Sequence, residues 1–291
     1  MWVCHIDDGV IQPMAKATPP DEGAEMETVT SADGTEIAFE RTGSGPPLVL
    51  VHGSGVSDHR RWEIADVRPS LAEHVTVYAI DRRGRGERGD ADPSSLEREI
   101  QDVVAVVESI NDPLTLLGHS FGANLVLEAS LLTDSLNGLI LYEPGIPVGD
   151  HDMSDPAVIS QMNDLLAKGN NEKALMVFLR EIGGLTSDEI DMFRADASWE
   201  DRVAGAHTLP REERASSEHE LRPNRLTVMT TPTLLLSGEK SPQKFKDATK
   251  AIHGALPNSR IVTFEDEQHV AMQNKPEQFV DEVLSFVRES N

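Results

Sequence analysis

The sequence of 291 residues contains one cysteine and no long apolar run. Because Cys4 has no second cysteine to pair with, the chain cannot form an internal disulfide bond, which fits a reducing compartment. No apolar stretch approaches the roughly 20 residues that a helix needs to span a bilayer. The N-terminus also lacks the basic region followed by an apolar one that marks a secretory signal. We therefore expect a cytoplasmic protein.

Basic residues are scarce relative to acidic ones. The chain has 26 Lys and Arg against 50 Asp and Glu, so its formal net charge is -24. Such a chain repels nucleic acid and anionic membranes, and we expect neither as a partner. A dense carboxylate surface also stays hydrated at high salt, where its self-repulsion is screened. The composition is thus that of an ordinary acidic protein or of one from a halophile, and the halophilic alternative predicts loss of structure at low salt.

Short apolar runs alternate with segments of helical periodicity along most of the chain. The predicted buried strands are residues 48–51, 75–80, 114–117, 139–142, 233–236 and 261–264, and the predicted helices are 96–110, 245–256 and 276–289. A hairpin around Asp33-Gly34 precedes them. This alternation predicts an α/β fold with a mostly parallel central sheet and helices on both faces.

Residues 145–225 break the rhythm of strand and helix. Amphipathic stretches at 159–167, 172–182 and 189–193 predict an inserted helical cap, in which the charged tract Arg211-Glu212-Glu213-Arg214 would be solvated helix surface. The predicted core comprises residues 26–144 and 226–291. Residues 1–25 are interpreted as a flexible, irregular arm, or as sequence upstream of a true start near Met26.

Polar or glycine-rich clusters follow several predicted strands, at His52, Asp81, Ser120, Glu143 and Ser237. The carboxyl ends of parallel strands share one edge of the sheet, and active groups of such folds lie there. One cluster, Gly118-His119-Ser120-Phe121-Gly122, has the pattern G-x-S-x-G between an apolar run and a helix-like segment. This context is that of a nucleophile elbow, in which a strained turn exposes a serine above a helix N-terminus. Ser120 is therefore the candidate nucleophile.

From about residue 26 to 290, the chain resembles enzymes of the α/β-hydrolase fold. The motifs that carry the resemblance are His52-Gly53-Ser54-Gly55, Asp81-Arg82-Arg83-Gly84-Arg85-Gly86 and Gly118-His119-Ser120-Phe121-Gly122, each after a predicted strand. The motifs are specific for the fold, but they say less about the substrate, because this fold hosts many chemistries.

The resemblance implies a triad in the chain order serine, acid, histidine. Among ten histidines, His269 lies in the loop between the last strand and the last helix, where the family has its catalytic base. His119, inside the elbow, should point sideways, and a structural hydrogen bond is expected of His52. His253, in a predicted helix, is expected to be exposed or to pack.

The acid of the triad departs from the common family pattern. Ser241 stands where the family usually has its aspartate, and a serine cannot stabilise an imidazolium. Glu143 follows the preceding strand, and a branch of the haloalkane dehalogenases with their luciferase relatives places a glutamate acid there. Glu239, in the usual loop but nearer the strand, is the alternative. A third possibility is that no carboxylate completes the triad, in which case Glu143 is a buried residue that binds cap backbone.

The oxyanion hole implied by the resemblance consists of the backbone N–H groups of Phe121 and Ser54. The arginine-rich turn at 81–86 is expected to be structural, with a phosphate site as the alternative. Neither a metal-ligand spacing nor a dinucleotide fingerprint occurs in the sequence, so we expect no cofactor and no metal.

These residues together predict acyl transfer to water, with a small or medium carboxylic ester as the small-molecule substrate. Carbon–carbon bond hydrolysis and cofactor-free perhydrolysis use the same residues and remain alternatives, as does a non-catalytic ligand-binding member of the fold. Dehalogenase and epoxide hydrolase relatives have aspartate at the position of Ser120, which disfavours those activities. The sequence leaves the oligomeric state undetermined.

Overall fold

An eight-stranded sheet forms the centre of the molecule. The computed structural model describes residues 4–7, 10–13, 25–86, 95–149 and 152–291. Two short strands, β1 (Cys4–Asp7) and β2 (Val10–Pro13), pair antiparallel outside the main sheet. The strands of the main sheet are β3 (Glu25–Thr30), β4 (Glu36–Thr42), β5 (Pro47–Val51), β6 (Thr76–Ile80), β7 (Leu114–His119), β8 (Leu136–Tyr142), β9 (Thr233–Gly238) and β10 (Ser259–Phe264).

The strand order across the main sheet is β10-β9-β8-β7-β5-β6-β4-β3. The pairs from β10 to β6 are parallel, whereas β4 is antiparallel to both β6 and β3. The sheet is therefore mostly parallel, with an antiparallel hairpin at one edge, as the alternating sequence pattern predicts.

Helices occupy the segments between the strands. They are α1 (Val67–Ala72), α2 (Leu96–Ser109), α3 (Phe121–Ala129), α4 (Pro156–Leu166), α5 (Asn171–Val177), α6 (Ser187–Ala195), α7 (Trp199–Ala204), α8 (Leu209–Glu218), α9 (Pro223–Leu226), α10 (Gln243–Ala255), α11 (Ala271–Asn274) and α12 (Pro276–Ser290). Local signals set several boundaries: the Ser95 hydroxyl accepts from the N–H of Arg98 at the start of α2, and Pro276 occupies the first turn of α12. Among the described residues, we find no helix whose length and apolar character would let it cross a membrane.

The core lies on both faces of the sheet. Leu48 and Leu50 of β5 pack in the same cluster as Phe279 of α12. Val49, between them in sequence, belongs to the opposite cluster together with Val103 of α2. Because successive side chains of a strand point to opposite faces, this alternation requires helices on both sides. It explains why the strands read as continuous apolar runs rather than as alternating ones.

The helices between β8 and β9 are here called the insertion, residues 145–225, of which 150 and 151 are not described. The amphipathic stretches predicted there are helical, and residues 178–182 continue α5 as a π-helical turn. Apolar side chains of the insertion, such as Phe178 and Phe193, belong to the same cluster as Leu48 of the sheet. That residues 145–225 form a cap domain separate from the core remains a prediction.

Two sequence-based expectations differ from the structure. In the N-terminal arm, β1 and β2 are paired strands rather than irregular chain, and Asp8-Gly9 between them in the sequence is a hairpin signal. The rest of residues 1–24 lies outside the described residues. The charged tract of α8 was expected to be solvated, but Glu212 and Glu213 are both buried. Neighbouring polar side chains, described below, bind both carboxyl groups and allow this burial.

Candidate active site

The turn at Ser120 joins the carboxyl end of β7 to the first residue of α3. Its φ of 56° lies in the left-handed region, which a non-glycine residue rarely adopts and which is often found at functional sites. A Cβ atom on Gly118 would overlap the carbonyl oxygen of Gly122, and one on Gly122 would overlap that of Val51. The two glycines of the motif are thus required by close backbone contacts.

His269 lies between β10 and α11 and is bound to Glu143, which directly follows β8. The Nδ1 atom of His269 is 2.6 Å from Oε2 of Glu143. Both side chains are buried, and the ring of Phe245 stacks on the imidazole with centroids 4.1 Å apart. Because a carboxylate can only accept, Nδ1 carries the proton of this hydrogen bond. The remaining nitrogen of His269, Nε2, is therefore free to accept a proton.

The second carboxylate oxygen of Glu143 is held by the end of β9. Its Oε1 accepts from the N–H of Gly238 at 2.7 Å and from the hydroxyl of Ser237 at 3.0 Å. Together with the bond to His269, these contacts fix the carboxylate in one orientation. The backbone of Glu143 also has a positive φ, 46°. Backbone strain and full hydrogen bonding at one buried residue are typical of a functional position.

The alternative acid, Glu239, lies elsewhere. Its side chain is exposed, and its Oε2 accepts from the N–H of Asp266 at 2.9 Å. Ser241, where the common family pattern has an aspartate, is buried and its hydroxyl has no hydrogen-bond partner among the described residues. The structure therefore brings Glu143, and not Glu239, to His269.

The two other buried histidines near the elbow have structural contacts. Burial lowers the pKa of His119, so its ring is neutral, and Nε2 donates to the carbonyl oxygen of His269 at 2.9 Å. Burial likewise lowers the pKa of His52, whose Nδ1 donates to the carbonyl oxygen of Gly53 at 2.9 Å. The contact of His119 ties the elbow to the loop that holds His269. His253, in α10, is half-buried and bonds to Ser259.

Arginines hold the carbonyl groups of the loop that follows β5. Arg82 donates to Gly53 O at 3.1 Å, Arg202 to Gly55 O at 3.2 Å and Arg85 to Val56 O at 2.5 Å. In a trans peptide, the C=O and the following N–H point in opposite directions. The N–H of Ser54 is therefore directed away from Arg82. The second expected oxyanion donor, the N–H of Phe121, is in the first turn of α3, where N–H groups lack intrahelical acceptors.

A pocket lies over these groups, and the space free of protein atoms there, with the open solvent at its mouth included, is about 610 Å³. Its floor includes Ser120, His269, Ser54 and Phe121 from the core. The insertion adds a mostly apolar wall: Phe178, Leu179, Ile182, Leu185 and Phe193. The predicted site residues thus all line one pocket, except Glu143, which lies behind His269.

Three ionisable residues of the pocket were missed by sequence reasoning. They are Arg61, Arg202 and Glu213. The hydroxyl of Ser154 donates to Glu213, and burial raises the pKa of this carboxyl to about 7 although Ser154 and Lys244 oppose the rise. No motif marks these positions. In particular, the tract around Glu213 has the composition of a solvated helix face.

Glu212, next in sequence to Glu213, binds arginines instead. Its Oε1 accepts from Nη2 of Arg85 at 2.7 Å and lies 3.5 Å from Nη2 of Arg82. Burial opposes ionisation, but Arg85 and Arg82 hold the pKa of Glu212 well below its usual range. The turn at 81–86 therefore has the structural role expected from the sequence, since its arginines bind carboxylates of the chain itself.

One group of side chains has the spacing of a metal site, at Asp58, His59 and Asp81, whose ligand atoms lie within 4.8 Å of one another. His59 Nδ1 is 2.7 Å from Asp81, and Nε2 is 2.7 Å from Glu40. Burial acts to lower the pKa of His59, but the bonds to Asp81 and Glu40 raise it to about 9. A protonated imidazole cannot bind a metal. At neutral pH this group is thus an ion-pair cluster, and the absence of a metal or cofactor remains a prediction.

Comparison with known proteins adds to this geometry. A model of the alpha/beta hydrolase family matches residues 48–282. The crystal structure of an alpha/beta hydrolase from Sphaerobacter thermophilus is 33% identical, with a TM-score of 0.77, and the match covers 89% of this chain and 99% of that one.

Two curated relatives are enzymes. The chain is 26% identical over 269 residues to a pimeloyl-[acyl-carrier protein] methyl ester esterase of Aeromonas hydrophila, covering 86% of this chain and 99% of the relative. It is 29% identical over 142 residues, 47% of its length, to a 2-hydroxy-6-oxo-6-(2'-aminophenyl)hexa-2,4-dienoic acid hydrolase of Metapseudomonas resinovorans. The chain spans about half the length of the latter relative, 49%.

Proposed function

Because the chain belongs to the alpha/beta hydrolase family, we propose that it is a serine hydrolase that cleaves small or medium carboxylic esters through an acyl-enzyme. The observation that carries this proposal is the 2.6 Å hydrogen bond between His269 and Glu143 beside the pocket that Ser120 lines. A serine hydroxyl is a weak nucleophile at neutral pH and needs a base whose orientation is fixed. Glu143 fixes the orientation of His269.

In the proposed reaction, Nε2 of His269 takes the proton of the Ser120 hydroxyl as its oxygen attacks the ester carbonyl. Glu143 stabilises the imidazolium that forms and remains ionised. The N–H groups of Ser54 and Phe121 bind the oxyanion of the tetrahedral intermediate. His269 then donates its proton to the leaving alcohol, and the serine is left acylated. Water repeats the cycle with His269 as base and releases the acid.

The replacement of the usual aspartate by Ser241 is compatible with this mechanism. Position 241 follows β9, whereas Glu143 follows β8, and neighbouring strands of a parallel sheet bring both positions to the same edge. Either strand can thus supply a carboxylate to one histidine. In this chain, the end of β9 instead supplies the donors of Gly238 and Ser237 that orient Glu143.

A second candidate function is hydrolysis of a carbon–carbon bond. The similarity to the Metapseudomonas hydrolase over 47% of the chain favours it. That chemistry uses the same nucleophile, base and oxyanion donors, so the two functions differ in the substrate rather than in the site. Turnover of a vinylogous diketone acid, with no turnover of any ester, would favour the second candidate.

The deciding experiment combines covalent labelling with turnover, at low and at high salt. We expect a fluorophosphonate probe to label the wild type but not Ser120→Ala, and we expect hydrolysis within a panel of 4-nitrophenyl esters of increasing acyl length. If Ser120 is not labelled under either condition, the chain is a non-catalytic member of the family.

The triad acid is tested by two matched variants. Glu143→Gln keeps the shape of the side chain but loses its charge, and we expect kcat to fall by roughly 10⁴-fold, as on loss of other triad acids. Glu239→Gln changes an exposed carboxylate at the end of the neighbouring strand, β9, and should keep wild-type activity. An active Glu143→Gln beside an inactive Glu239→Gln would reverse the assignment.

A further inference from the structure

Two buried arginines line the pocket, and each has hydrogen-bond donors without an acceptor among the described residues. Arg61 lies in the short helical turn His59–Asp66 and Arg202 lies in α7, and each is only 1% exposed. Arg61 donates through Nη2 to the sulfur of Met272 at 3.2 Å. Arg61 Nη1 and Arg202 Nη2 are buried and have no hydrogen-bond partner among the described residues.

Neither guanidinium forms an ion pair with the described part of the chain. The carboxylates of Asp196 and Asp58 are close enough to act on the charge of these arginines, but both form their hydrogen bonds with other residues. Asp196 accepts from the N–H and hydroxyl of Ser198, and Asp58 accepts from Arg60. Arg202 also donates to the hydroxyl of Ser198 and to the carbonyl oxygen of Gly55, both at 3.2 Å, but neither contact supplies a negative charge. A buried cation without a counter-charge costs several kcal/mol, on the order of the stability of a whole domain. Such an arrangement needs a reason other than folding.

Both guanidinium groups lie near the ring of Phe193, which lines the pocket. Their central carbons lie 5.9 Å and 4.5 Å from the centroid of the Phe193 ring, for Arg61 and Arg202 respectively. Burial and the charge of Arg202 lower the pKa of Arg61 to about 9, and burial lowers that of Arg202 to about 10. Both side chains are therefore still cationic at neutral pH, and they repel each other. An anion bound at these groups would offset the repulsion and accept hydrogen bonds from the Nη atoms that lack a partner.

We propose that Arg61 and Arg202 bind a carboxylate of the substrate, so that the ester cleaved at Ser120 carries a free carboxylate. The inference rests on the proposed function and specifies its substrate class as monoesters of dicarboxylic acids. Guanidinium groups present planar arrays of N–H donors that match the two oxygens of a carboxylate. Each free Nη can donate to one oxygen.

The rest of the pocket fits such a substrate. Phe178, Leu179 and Ile182 form an apolar wall that would contact the methylene chain between the ester and the carboxylate. Glu213 is the one acidic residue that lines the pocket, and its raised pKa keeps it partly protonated near pH 7. The pocket is therefore net cationic in a chain whose net charge is -24.

The first test compares two esters that differ only in charge. Mono-4-nitrophenyl glutarate carries a free carboxylate, and its methyl ester is neutral at that end. We expect wild-type kcat/KM to favour the charged ester, and Arg61→Met to lower this ratio by roughly ten- to a hundred-fold, the usual worth of hydrogen bonds to a charged group. Arg61→Lys should lower the ratio of the two kcat/KM values less than Arg61→Met does, because lysine keeps the positive charge. Arg194→Met removes an exposed arginine outside the pocket and should keep the wild-type ratio.

The second test measures binding without turnover, in Ser120→Ala. Glutarate should raise the melting temperature of this protein, and the rise should vanish when Arg61→Met is added, whereas inorganic phosphate and 1-pentanol should have smaller effects. A larger effect of phosphate would overturn the assignment to a carboxylate. Failure of the wild type to hydrolyse any ester would overturn the proposed function alone, because glutarate binding reports the arginine site by itself. Absence of a glutarate effect, or an unchanged ester ratio in Arg61→Met, would overturn the inference.

Discussion

Two groups of buried arginines in the described part of the molecule have opposite electrostatic surroundings. The loop arginines, Arg82, Arg83 and Arg85, follow β6, and the pocket arginines are Arg61 and Arg202. Each loop arginine has a carboxylate oxygen within 2.7 Å, on Glu99, Asp102 or Glu212. Within the described part of the chain, the pocket arginines have no such partner. All five side chains are at most 3% exposed, and the two groups differ in whether a carboxylate neutralises the charge.

This difference separates structural from functional charge. A neutralised buried cation can tie elements together: Arg82 and Arg85 connect the β6 loop to α2 and α8 and hold two carbonyl groups of the loop after β5. A buried cation that is not neutralised costs free energy, and it is retained where a ligand supplies the missing charge. The sign of a charge that the protein leaves unneutralised in a pocket therefore indicates the opposite charge on the substrate.

The largest expected effect concerns Glu212, which neutralises the loop arginines. Glu212→Gln leaves Arg85 without its carboxylate, and removal of one partner of a buried pair costs about 3–5 kcal/mol. We expect the free energy of unfolding, measured by urea titration at pH 7, to fall by that amount. Glu218→Gln is the matched control, because it is exposed on the same helix. A loss below about 1 kcal/mol would remove the distinction between the two groups of arginines.

Substitution of Glu213 should stabilise the protein rather than destabilise it, and only above about pH 4.5. Its folded-state pKa is raised from 4.5 to about 7. Between these values the unfolded chain gives up the proton and the folded chain keeps it, so stability falls as pH rises. Glu213→Gln cannot lose a proton. The variant should therefore gain stability relative to the wild type from pH 4.5 to 7, up to about 3 kcal/mol, and then level off.

Unfolding free energies at pH 4, 5.5, 7 and 8 measure this difference. If it does not change with pH, Glu213 is ionised in the folded protein and the pocket carries an additional negative charge. Because such a charge would lower the net positive charge of the pocket lining, the same measurement bears on the carboxylate site.

Sequence patterns predicted the parts of the molecule that depend on local order. The strands after which Ser120, Glu143 and His269 lie were readable as apolar runs, and parallel pairing then brings their ends to one edge of the sheet. This order brings both Glu143 and Glu239 to that edge, and only the tertiary contacts show that His269 binds Glu143 while Glu239 is exposed.

Other features depend on packing between elements far apart in sequence. Arg61 and Arg202 are 141 positions apart and share the Phe193 ring. Glu212 and Glu213 differ by one position along α8, and the helical turn directs one to the loop arginines and the other to Ser154 and the pocket. A charged tract in a sequence gives no sign of which carboxylate will be buried beside which cation. Such features become visible only when the tertiary contacts are known.

The smallest expected effect is on the free energy of unfolding when one arginine of each group, Arg61 or Arg85, is replaced by methionine. Arg61→Met replaces a buried cation that has no counter-charge among the described residues by an apolar side chain of similar length, a change that we expect to be neutral or stabilising by about 1 kcal/mol or more. Arg85→Met should destabilise, because it removes the 2.7 Å ion pair of the buried Glu212 and leaves Arg82, at 3.5 Å, as the nearest cation. Urea titrations of both variants at pH 7 measure the sign of the change in the free energy of unfolding. Equal losses would mean that the contacts of Arg61 with Met272 and Phe193 stabilise the fold as much as the ion pair of Arg85 does. A gain in Arg61→Met, combined with loss of selectivity for the carboxylate ester, would show that the chain gives up stability at this position to bind its substrate.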